Sequence, residues 1–350
     1  PMYSVTNNRG FVPQSEQFED REMMGEDIKA YKIIHEGDFA YNPARINVGS
    51  IAKYSKKDPC MISSLYVCFK THSNIDKEWM MQLLKTPKMN FYYNVNGEGG
   101  VRVYLFYPNF ARIRTSYPSL VEQQKIAAFL RLLDQRIETQ KKIIEDLKKL
   151  KRAICDNCFS NGTKVKFGDL GSFIRGLSYS TDEVQESGKG TMVLRSNNIE
   201  NGEEVNMDEL VWVSKGLEDK QKLQYGDIVI CMANGSSPLV GKASHFPRGY
   251  VRDATVGAFC GIFRPLSPAA KWLVQTKMYR KYMHQSIQGG NGAIANIYPQ
   301  DILSMTFCIP NNLNSVTDAL ELLHERIITE AEILKLQLSV KQHLLSQMFI

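Results

Sequence analysis

The sequence predicts an α+β (mixed α/β) protein made of two tandem globular domains, each followed by one long helix. Three observations lead to this prediction: an internal repeat at an offset of 190 residues, two apolar stripes with coiled-coil spacing, and short β-rich runs between turns. A chain of 350 residues is long enough for two domains of ordinary size.

The internal repeat is clearest in two stretches that align without a gap, residues 126–159 and residues 316–349. Nine of the 34 aligned pairs are identical: Leu130/Leu320, Leu132/Leu322, Leu133/Leu323, Arg136/Arg326, Ile137/Ile327, Thr139/Thr329, Ile143/Ile333, Lys151/Lys341 and Phe159/Phe349. Shorter matches upstream keep nearly the same offset, and they pair Gly37-Asp38 with Gly226-Asp227 and Tyr107-Pro108 with Tyr298-Pro299. The chain is therefore one unit used twice.

The repeat sets the domain boundaries that we expect. They are residues 1–118 for the first domain, 119–160 for a central helix, 161–310 for the second domain and 311–350 for a C-terminal helix. The second copy begins near Val165, so the matching start of the first copy falls about 25 residues before Pro1. We therefore expect the first domain to be truncated at its N-terminus.

Both helical stretches carry apolar residues at alternating spacings of four and three, which is typical of a coiled-coil seam. The seam residues are Ile126, Leu130, Leu133, Ile137, Ile144 and Leu147 in the first helix, and Val316, Leu320, Leu323, Ile327, Leu334 and Leu344 in the second. Parallel pairing would set Lys151 beside Lys341. We therefore predict an antiparallel coiled coil with pseudo-two-fold symmetry, in which both lysine stems reach out to solvent.

Within the globular stretches, runs such as residues 226–231 and 259–263 predict strands. Helices are expected over residues 76–84 and 268–283, and strand content is expected to exceed helix content in both domains.

Composition and charge exclude several classes of protein. The chain has 43 basic and 37 acidic residues, and this excess of six gives a mild preference for polyanionic partners. Seven scattered cysteines fit buried thiols in a reducing compartment. Because no apolar run approaches the roughly 20 residues of a membrane helix and the N-terminus lacks a signal-peptide profile, we expect a cytoplasmic protein.

Several motifs then carry a family resemblance. Residues 117–127 (YPSLVEQQKIA) continue through residues 129–137 (FLRLLDQRI) and close at residues 147–151 (LKKLK). This pattern resembles the central conserved region of type I restriction-modification specificity (S) subunits. Residues 37–45 (GDFAYNPAR), 49–51 (GSI) and 100–102 (GVR) resemble a common class of target recognition domain in that family. Before the closing helix, Asn312-Leu313-Asn314-Ser315 replaces the Glu-Gln entry motif.

The resemblance implies a non-catalytic subunit with two target recognition domains. Each domain would read one part of a split target in double-stranded DNA, and the helices would set the spacing and dock two methyltransferase subunits. Those partners would bind S-adenosylmethionine and methylate adenine at N6. Where a motor-nuclease (restriction) subunit accompanies them, it would use ATP and magnesium. This chain itself is expected to bind no cofactor and no membrane.

A catalytic function is not supported by any motif in the sequence. Residues 42–45 (NPAR) lack the second proline and the aromatic residue of an adenine-methyltransferase motif, and residues 235–243 depart from a phosphate loop. Cys155 and Cys158 have no second pair of ligands for zinc. The six histidines have no catalytic or metal-binding spacing with cysteines or carboxylates, so we expect neither a catalytic site nor a metal site.

Candidate DNA-contacting residues are hydrogen-bond donors in Gly/Asn-rich loops next to strands, because arginine can grip guanine and asparagine can pair with adenine. In the first domain they are Arg9, Tyr41, Asn42, Arg45, Asn47, Ser50 and Arg102. In the second domain they are Arg195, Asn197, Asn198, Asn234, Ser236, Ser237, Lys242, Arg252, Asn291 and Asn296. The alternative hypothesis is a coiled-coil scaffold protein that does not touch DNA.

Overall fold

The structure is a computed structural model that describes residues 1–17, 30–99, 103–250, 252–288 and 294–349. Its contacts divide the chain into two compact units. Unit one comprises residues 1–141 and 332–350, and unit two comprises residues 142–331. Among the described residues, no helix is both long and apolar enough to cross a bilayer.

The described residues of unit one form two small sheets. Their strands are β1 (Met2–Thr6), β2 (Gly10–Pro13), β3 (Lys32–Ile34), β4 (Phe39–Tyr41), β5 (Ile51–Lys53), β6 (Cys60–Ile62) and β7 (Val67–Phe69). One sheet has the order β2-β1-β6-β3 and the other β5-β4-β7. All pairs are antiparallel except β1 with β6.

The strands of unit one are followed by helices in the described part of the chain. They are α1 (Gln14–Gln17), α2 (Lys77–Leu84), α3 (Pro87–Asn96), α4 (Tyr107–Ala111) and α5 (Leu120–Cys158). The predicted helix over residues 76–84 is present as α2, because the Asp76 side chain caps it by accepting a hydrogen bond from the Trp79 amide at 2.8 Å. Helix α3 was not predicted, although Thr86-Pro87 is a recognisable start signal for a helix. Among the described residues before α5, helical residues consequently outnumber strand residues, so the expected strand excess is wrong for this unit.

Unit two is richer in strands. They are β8 (Thr163–Lys166), β9 (Gly171–Arg175), β10 (Val184–Gln185), β11 (Thr191–Leu194), β12 (Val211–Val213), β13 (Ile228–Cys231), β14 (Ala233–Asn234), β15 (Ala243–His245), β16 (Ala254–Val256), β17 (Cys260–Pro265), β18 (Ala295–Asn296) and β19 (Thr306–Ile309). Two four-stranded sheets have the orders β10-β12-β11-β16 and β15-β13-β17-β9, and β14-β18 and β19-β8 form separate pairs. Only β11 with β16 is parallel among these described pairs.

The helices of unit two are shorter than predicted before the closing helix. They are α6 (Ala269–Leu273), α7 (Lys277–Ser286), α8 (Pro299–Leu303) and α9 (Leu313–Met348). The single helix expected over residues 268–283 is therefore two helices. Thr276 separates them, because its hydroxyl donates to the Leu273 carbonyl at 2.7 Å and accepts from the Tyr279 amide at 3.2 Å, which starts α7.

The repeat extends to individual hydrogen bonds. Gly37 and Gly226 both have positive φ, +85° and +84°, at the turn before a buried strand. The next residue in each unit, Asp38 or Asp227, accepts a hydrogen bond on its carboxylate from the amide three residues upstream, at 3.1 and 2.8 Å. Glycine is required at this turn because L side chains rarely adopt the left-handed region. The same local structure therefore leads into β4 and into β13.

The long helices α5 and α9 contribute to the core of each unit. In unit one, Ala127 and Leu130 of α5 share a cluster with Trp79 and Phe349, whose rings lie 5.7 Å apart. In unit two, the end of α5 packs with the beginning of α9: Cys155, Phe159, Val316 and Leu320 belong to one cluster. The twelve predicted seam residues are all buried or half-buried.

The seam lysines differ from the expectation that their stems reach solvent. Lys151 is 1% exposed, and its ammonium donates to the Gly202 carbonyl at 3.1 Å. Lys341 forms an ion pair with Asp134 instead. The expectation was wrong for Lys151, because a loop of unit two covers the helix there and supplies the acceptor.

Candidate nucleic-acid interface

In each unit, an asparagine stabilises a turn that follows a buried strand of the repeat, β4 in unit one and β13 in unit two. The Asn42 side-chain oxygen accepts from the Ala44 amide at 3.0 Å, and that of Asn234 accepts from the Ser236 amide at 2.9 Å. This side-chain to backbone bond is a common way to fix a turn. The Asn234 amide group also donates to Ser196 Oγ at 3.1 Å. Both asparagines therefore shape the loops beside which the exposed donors lie.

Unit one has a cleft of about 440 Å³ beside the β1–β2 hairpin. Arg9, Arg45 and Ser50 line it, together with Asn7 and Asn8. Arg9 is paired with a glutamate across the cleft at 2.8 Å, and both side chains are more than half exposed. Because an exposed ion pair contributes little stability, the guanidinium can exchange this partner for a ligand at small cost.

Unit two has a cleft of about 520 Å³ that Arg195 and Asn197 line with Tyr179 and Phe259. Both donors are held by Glu209: the Arg195 guanidinium reaches its carbonyl at 3.4 Å, and the Asn197 amide reaches its carboxylate at 3.2 Å. Glu209 has a φ of +51°, in the left-handed region that non-glycine residues rarely adopt. Phe259 is 60% exposed and offers an aromatic face at the cleft.

The predicted DNA-contacting residues fall into four groups by exposure. Seven are exposed: Arg9, Arg45, Arg195, Asn197, Ser236, Ser237 and Arg252. Five are half-buried: Asn42, Asn47, Asn234, Lys242 and Asn296. Three are buried: Tyr41, Ser50 and Asn198. Arg102 and Asn291 lie outside the described residues.

The three buried candidates have internal contacts in this conformation. Tyr41 lies in the core of unit one with no exposed surface, and burial raises the pKa of its hydroxyl. Ser50 donates to the Val5 carbonyl at 2.7 Å, and the Asn198 amide donates to the Asp208 carbonyl at 2.7 Å. Sequence alone marks all three as polar donors. The fold uses the polar groups of Ser50 and Asn198 internally, whereas the buried Tyr41 hydroxyl has no hydrogen-bond partner among the described residues.

Several side chains at the clefts were missed by the sequence analysis. Asn7 and Asn8 had a signal, because Asn-Asn-Arg-Gly is a turn sequence between two β-rich runs. Tyr179 and Phe259 had none, since periodicity does not reveal which aromatic residue stays on the surface.

The fold also brings together two histidines that are distant in sequence. His245 and His324 in unit two place their Nε2 atoms 3.1 Å apart, and the Glu204 carboxylate lies 3.9 Å from His245 Nε2. Burial, with Lys151 and Lys271 nearby, lowers the pKa of His245 to about 2 and that of His324 to about 3, so both rings are neutral at pH 7. Sequence spacing could not show this cluster, because its members come from three separate segments.

Comparisons with known proteins agree with the resemblance found in the sequence. Residues 7–149 match the family described as type I restriction modification DNA specificity domain. The specificity subunit of the type I restriction enzyme EcoKI from Escherichia coli (strain K12) is 32% identical over 146 residues. That alignment covers 40% of this chain and only 30% of the length of the EcoKI subunit.

Solved structures show a similar fold over most of the chain. One is a chain from work on the complex assembly and conformational transition of the type I R-M system, with a TM-score of 0.56 and 15% identity, covering 91% of this chain and 83% of that one. Another is the S subunit of a type I restriction-modification system from M. genitalium, with a TM-score of 0.53 and 14% identity over 91% and 84% of the two chains.

Residues 7–149 are therefore similar to the DNA specificity domain of type I restriction-modification systems, and the chain spans less than a third of the length of the EcoKI subunit that it matches. The scaffold hypothesis without DNA contact is not favoured by these findings.

Proposed function

We propose that this chain is the sequence-specificity subunit of a type I restriction-modification complex in the cytoplasm. Unit one reads one part of a split DNA target and unit two reads the other. The chain performs no chemistry itself and leaves adenine-N6 methylation to partner subunits that bind S-adenosylmethionine. ATP and magnesium belong to a restriction subunit where one is present.

The observation that carries this proposal is the occurrence in each unit of a cleft lined by arginine and asparagine. Arg45 and Arg195 are exposed at the two clefts. Guanidinium groups can bind phosphate or form two hydrogen bonds to guanine. Asparagine amides can form two hydrogen bonds to adenine. Phe259 adds a surface on which a sugar or base can pack.

The docking of two methyltransferase subunits is supported by exposed apolar residues that recur in both helices. Leu132 on α5 and Leu322 on α9 occupy the same repeat position, and they are 60% and 68% exposed. Leu150 and Val340, again one repeat apart, are 50% and 51% exposed. Residues 132 and 150 share one face of α5, because 18 residues make five full turns. Since exposed apolar stripes mark interaction sites, we propose that each helix presents one to a methyltransferase subunit.

The proposed pairing of α5 and α9 is antiparallel, with the pseudo-two-fold symmetry that the repeat implies. It is supported inside each unit: the beginning of α5 packs with the end of α9 in unit one, and the reverse holds in unit two.

Mapping of N6-methyladenine in genomic DNA tests the reading of a split target. Cells that express the chain with its cognate methyltransferase should show a bipartite motif that is absent without the chain. Arg45→Ala should relax base preference in one half of the motif, and Arg195→Ala in the other half, because each good base contact contributes about 1–3 kcal/mol of discrimination. A genome without any chain-dependent motif would overturn the proposed function.

Matched controls are the exposed arginines Arg114 and Arg248, which line neither cleft. Alanine at these positions should leave the motif unchanged. If the cleft variants and the control variants give the same motif as the native chain, the clefts do not read bases.

Co-purification with the methyltransferase tests the docking surface. Leu132→Asp and Leu322→Asp should each reduce the bound methyltransferase from two copies to one, and the double variant should bind none. Arg131→Asp, at an exposed position off the Leu132 face, is the control and should retain two copies. Two bound copies in the double variant would show that docking uses another surface.

A further inference from the structure

Three side chains of unit two converge on one point although they come from separate segments. Glu204 lies in the loop that runs beside β15, His245 ends that strand, and His324 lies on α9. Their ligand atoms all lie within 4.8 Å of one another. In the described part of the chain, this is the one group of three or more such side chains placed to share a metal ion.

The distances fit a small transition-metal ion. Two imidazole nitrogens bound to one tetrahedral zinc ion at about 2.0–2.1 Å lie roughly 3.3 Å apart. The Nε2 atoms of His245 and His324 are 3.1 Å apart. The Glu204 oxygen is 3.9 Å from His245 Nε2 and within 4.8 Å of the His324 ring nitrogen, so it needs to move by roughly 0.6–1.5 Å to complete the same geometry. Its side chain is 40% exposed, so it has room to move.

The two imidazoles are poorly explained by packing alone. His245 and His324 are 5% and 2% exposed, and the contact between them is the hydrogen bond that joins their Nε2 atoms. His324 Nδ1 is buried and has no hydrogen-bond partner among the described residues. Burying polar groups without partners is unfavourable, and an apolar pair of similar size would avoid this cost. A ligand between the rings would give both Nε2 atoms a bond.

Nearby charges do not exclude a cation. Lys271 lies close to both rings, but its ammonium forms an ion pair with Glu321 at 2.7 Å. Lys151 is 3.7 Å from Glu203. Lys148 shares Glu203 with Lys151, at a distance of 3.3 Å. Two carboxylates, Glu321 and Glu203, thus pair with the neighbouring lysines, which leaves the Glu204 carboxylate to offset the charge of an ion.

We propose that Glu204, His245 and His324 form a binding site for one zinc ion, with a fourth position open to water on the side where Glu204 is exposed. Neutral imidazole and carboxylate are a ligand set that zinc accepts, whereas magnesium prefers oxygen ligands throughout. The ion joins the β15 sheet to helix α9 and fixes the recognition domain of unit two on the helix that follows it.

The repeat position explains why the described residues of unit one contain no equivalent group of ligands. His324 aligns with Asp134, and that carboxylate already pairs with Lys341. The site is therefore a feature of the second copy.

Zinc titration of the metal-stripped full chain, followed by calorimetry and thermal melting, tests the site. The expected result is one equivalent of bound Zn²⁺ and a melting temperature that rises with Zn²⁺ concentration, as it must for a ligand of the native state. Magnesium at the same concentration should cause no shift. Absence of one-equivalent zinc binding overturns the proposal.

Paired variants assign the ligands. Glu204→Gln should weaken zinc binding at least tenfold, and Glu186→Gln, at an exposed glutamate of the same unit that pairs with Lys189, should not change it. His324→Asn should abolish one-equivalent binding, and His284→Asn, at an exposed histidine of the same unit, should not. The metal-free melting temperature of each variant separates a lost ligand from a lost fold, and Glu204→Gln leaves the buried rings intact. Zinc affinity unchanged in Glu204→Gln or in His324→Asn overturns the three-residue site.

Discussion

The two units place the same seam lysine in different surroundings. Lys341 in unit one and Lys151 in unit two are identical residues of the repeat, and Asp134 and His324 occupy one further repeat position. In unit one, Lys341 pairs with Asp134 and keeps partial exposure. In unit two, Lys151 is buried and donates to a backbone carbonyl, while His324 forms a hydrogen bond with His245.

The difference shows that one changed residue of the repeat, Asp134 against His324, alters the hydrogen bonds and ion pairs of the polar residues around it. A neutral histidine cannot neutralise an ammonium group. The Lys151 ammonium therefore donates to the Gly202 carbonyl and lies 3.7 Å from the Glu203 carboxylate instead. The imidazole then needs a partner of its own, which β15 supplies. Conserved helix geometry therefore does not imply conserved polar contacts.

The largest expected change in stability comes from removing a tryptophan from the core of one unit, which should destabilise that unit and leave the other unchanged. Trp272 is 1% exposed in unit two and Trp79 is 1% exposed in unit one. Trp272→Ala should lower the free energy of unfolding of unit two by about 3–5 kcal/mol through the lost burial and the cavity left behind. Hydrogen exchange measures this effect by comparing amide protection in residues 228–231 of unit two with that in residues 39–41 of unit one. Trp79→Ala should reverse the outcome and lower protection in unit one. Equal loss of protection in both strands would show that the units unfold together.

Acid should destabilise unit two through the buried histidine pair. Burial and the nearby Lys151 and Lys271 hold the pKa of His245 at about 2 and that of His324 at about 3, against about 6.5 in the unfolded chain. The unfolded state therefore takes up protons first, and stability falls as the pH drops from about 6.5 toward 3. The slope is on the order of 1 kcal/mol per pH unit for each histidine.

Denaturant unfolding at pH 7, 6, 5 and 4 measures this dependence. The double variant His245→Asn/His324→Asn should show a flatter profile, and the single exposed control His284→Asn should match the native chain. Glu204 faces the pair, and burial raises the pKa of its carboxyl group, so Glu204→Gln is measured alongside to subtract its contribution to the pH dependence. A native slope retained in the double variant would contradict the prediction.

Two threonines should behave alike, because their contacts are the same in both units. Thr86 and Thr276 each donate to a leucine carbonyl at 2.7 Å and accept a helix-start amide at 3.2 Å. Thr86→Ala and Thr276→Ala should each cost about 1 kcal/mol, as loss of a helix cap does, and serine should restore most of it. Chemical denaturation of the four variants checks the equality, which a difference above about 1 kcal/mol would break.

The smallest effect is expected at the ion pair of unit one. Asp134 is 38% exposed at its side chain and also accepts from Gln82 at 3.3 Å. Asp134→Asn should cost no more than about 0.5–1 kcal/mol, and less at high salt, because solvent screens a half-exposed pair. Urea melts at two salt concentrations test it. A salt-independent loss would mean that packing, rather than charge, sets the contribution of Asp134.

Local patterns predicted the helices better than the sheets. The seam spacing places α5 and α9 correctly, because a seven-residue repeat over many turns has few other structural solutions. The expected helix over residues 268–283 merged two elements, since the Thr276 cap is a single residue within an otherwise helical pattern. Tyr41 and Asn198 look like surface donors in the sequence, and only their burial shows otherwise.

By itself, the sequence showed that two stretches repeat at an offset of 190 residues, predicted that each of them is a long amphipathic helix, and carried motifs in its first half that resemble those of a specificity subunit. These are local or periodic signals, and both kinds can be recognised in the sequence without knowledge of the fold. Tertiary structure alone decided which polar residues meet: Arg9 with Arg45 at a cleft, Lys341 with Asp134, and Glu204 with His245 and His324. Such contacts join segments far apart in the chain, and no spacing rule connects them before the core has formed.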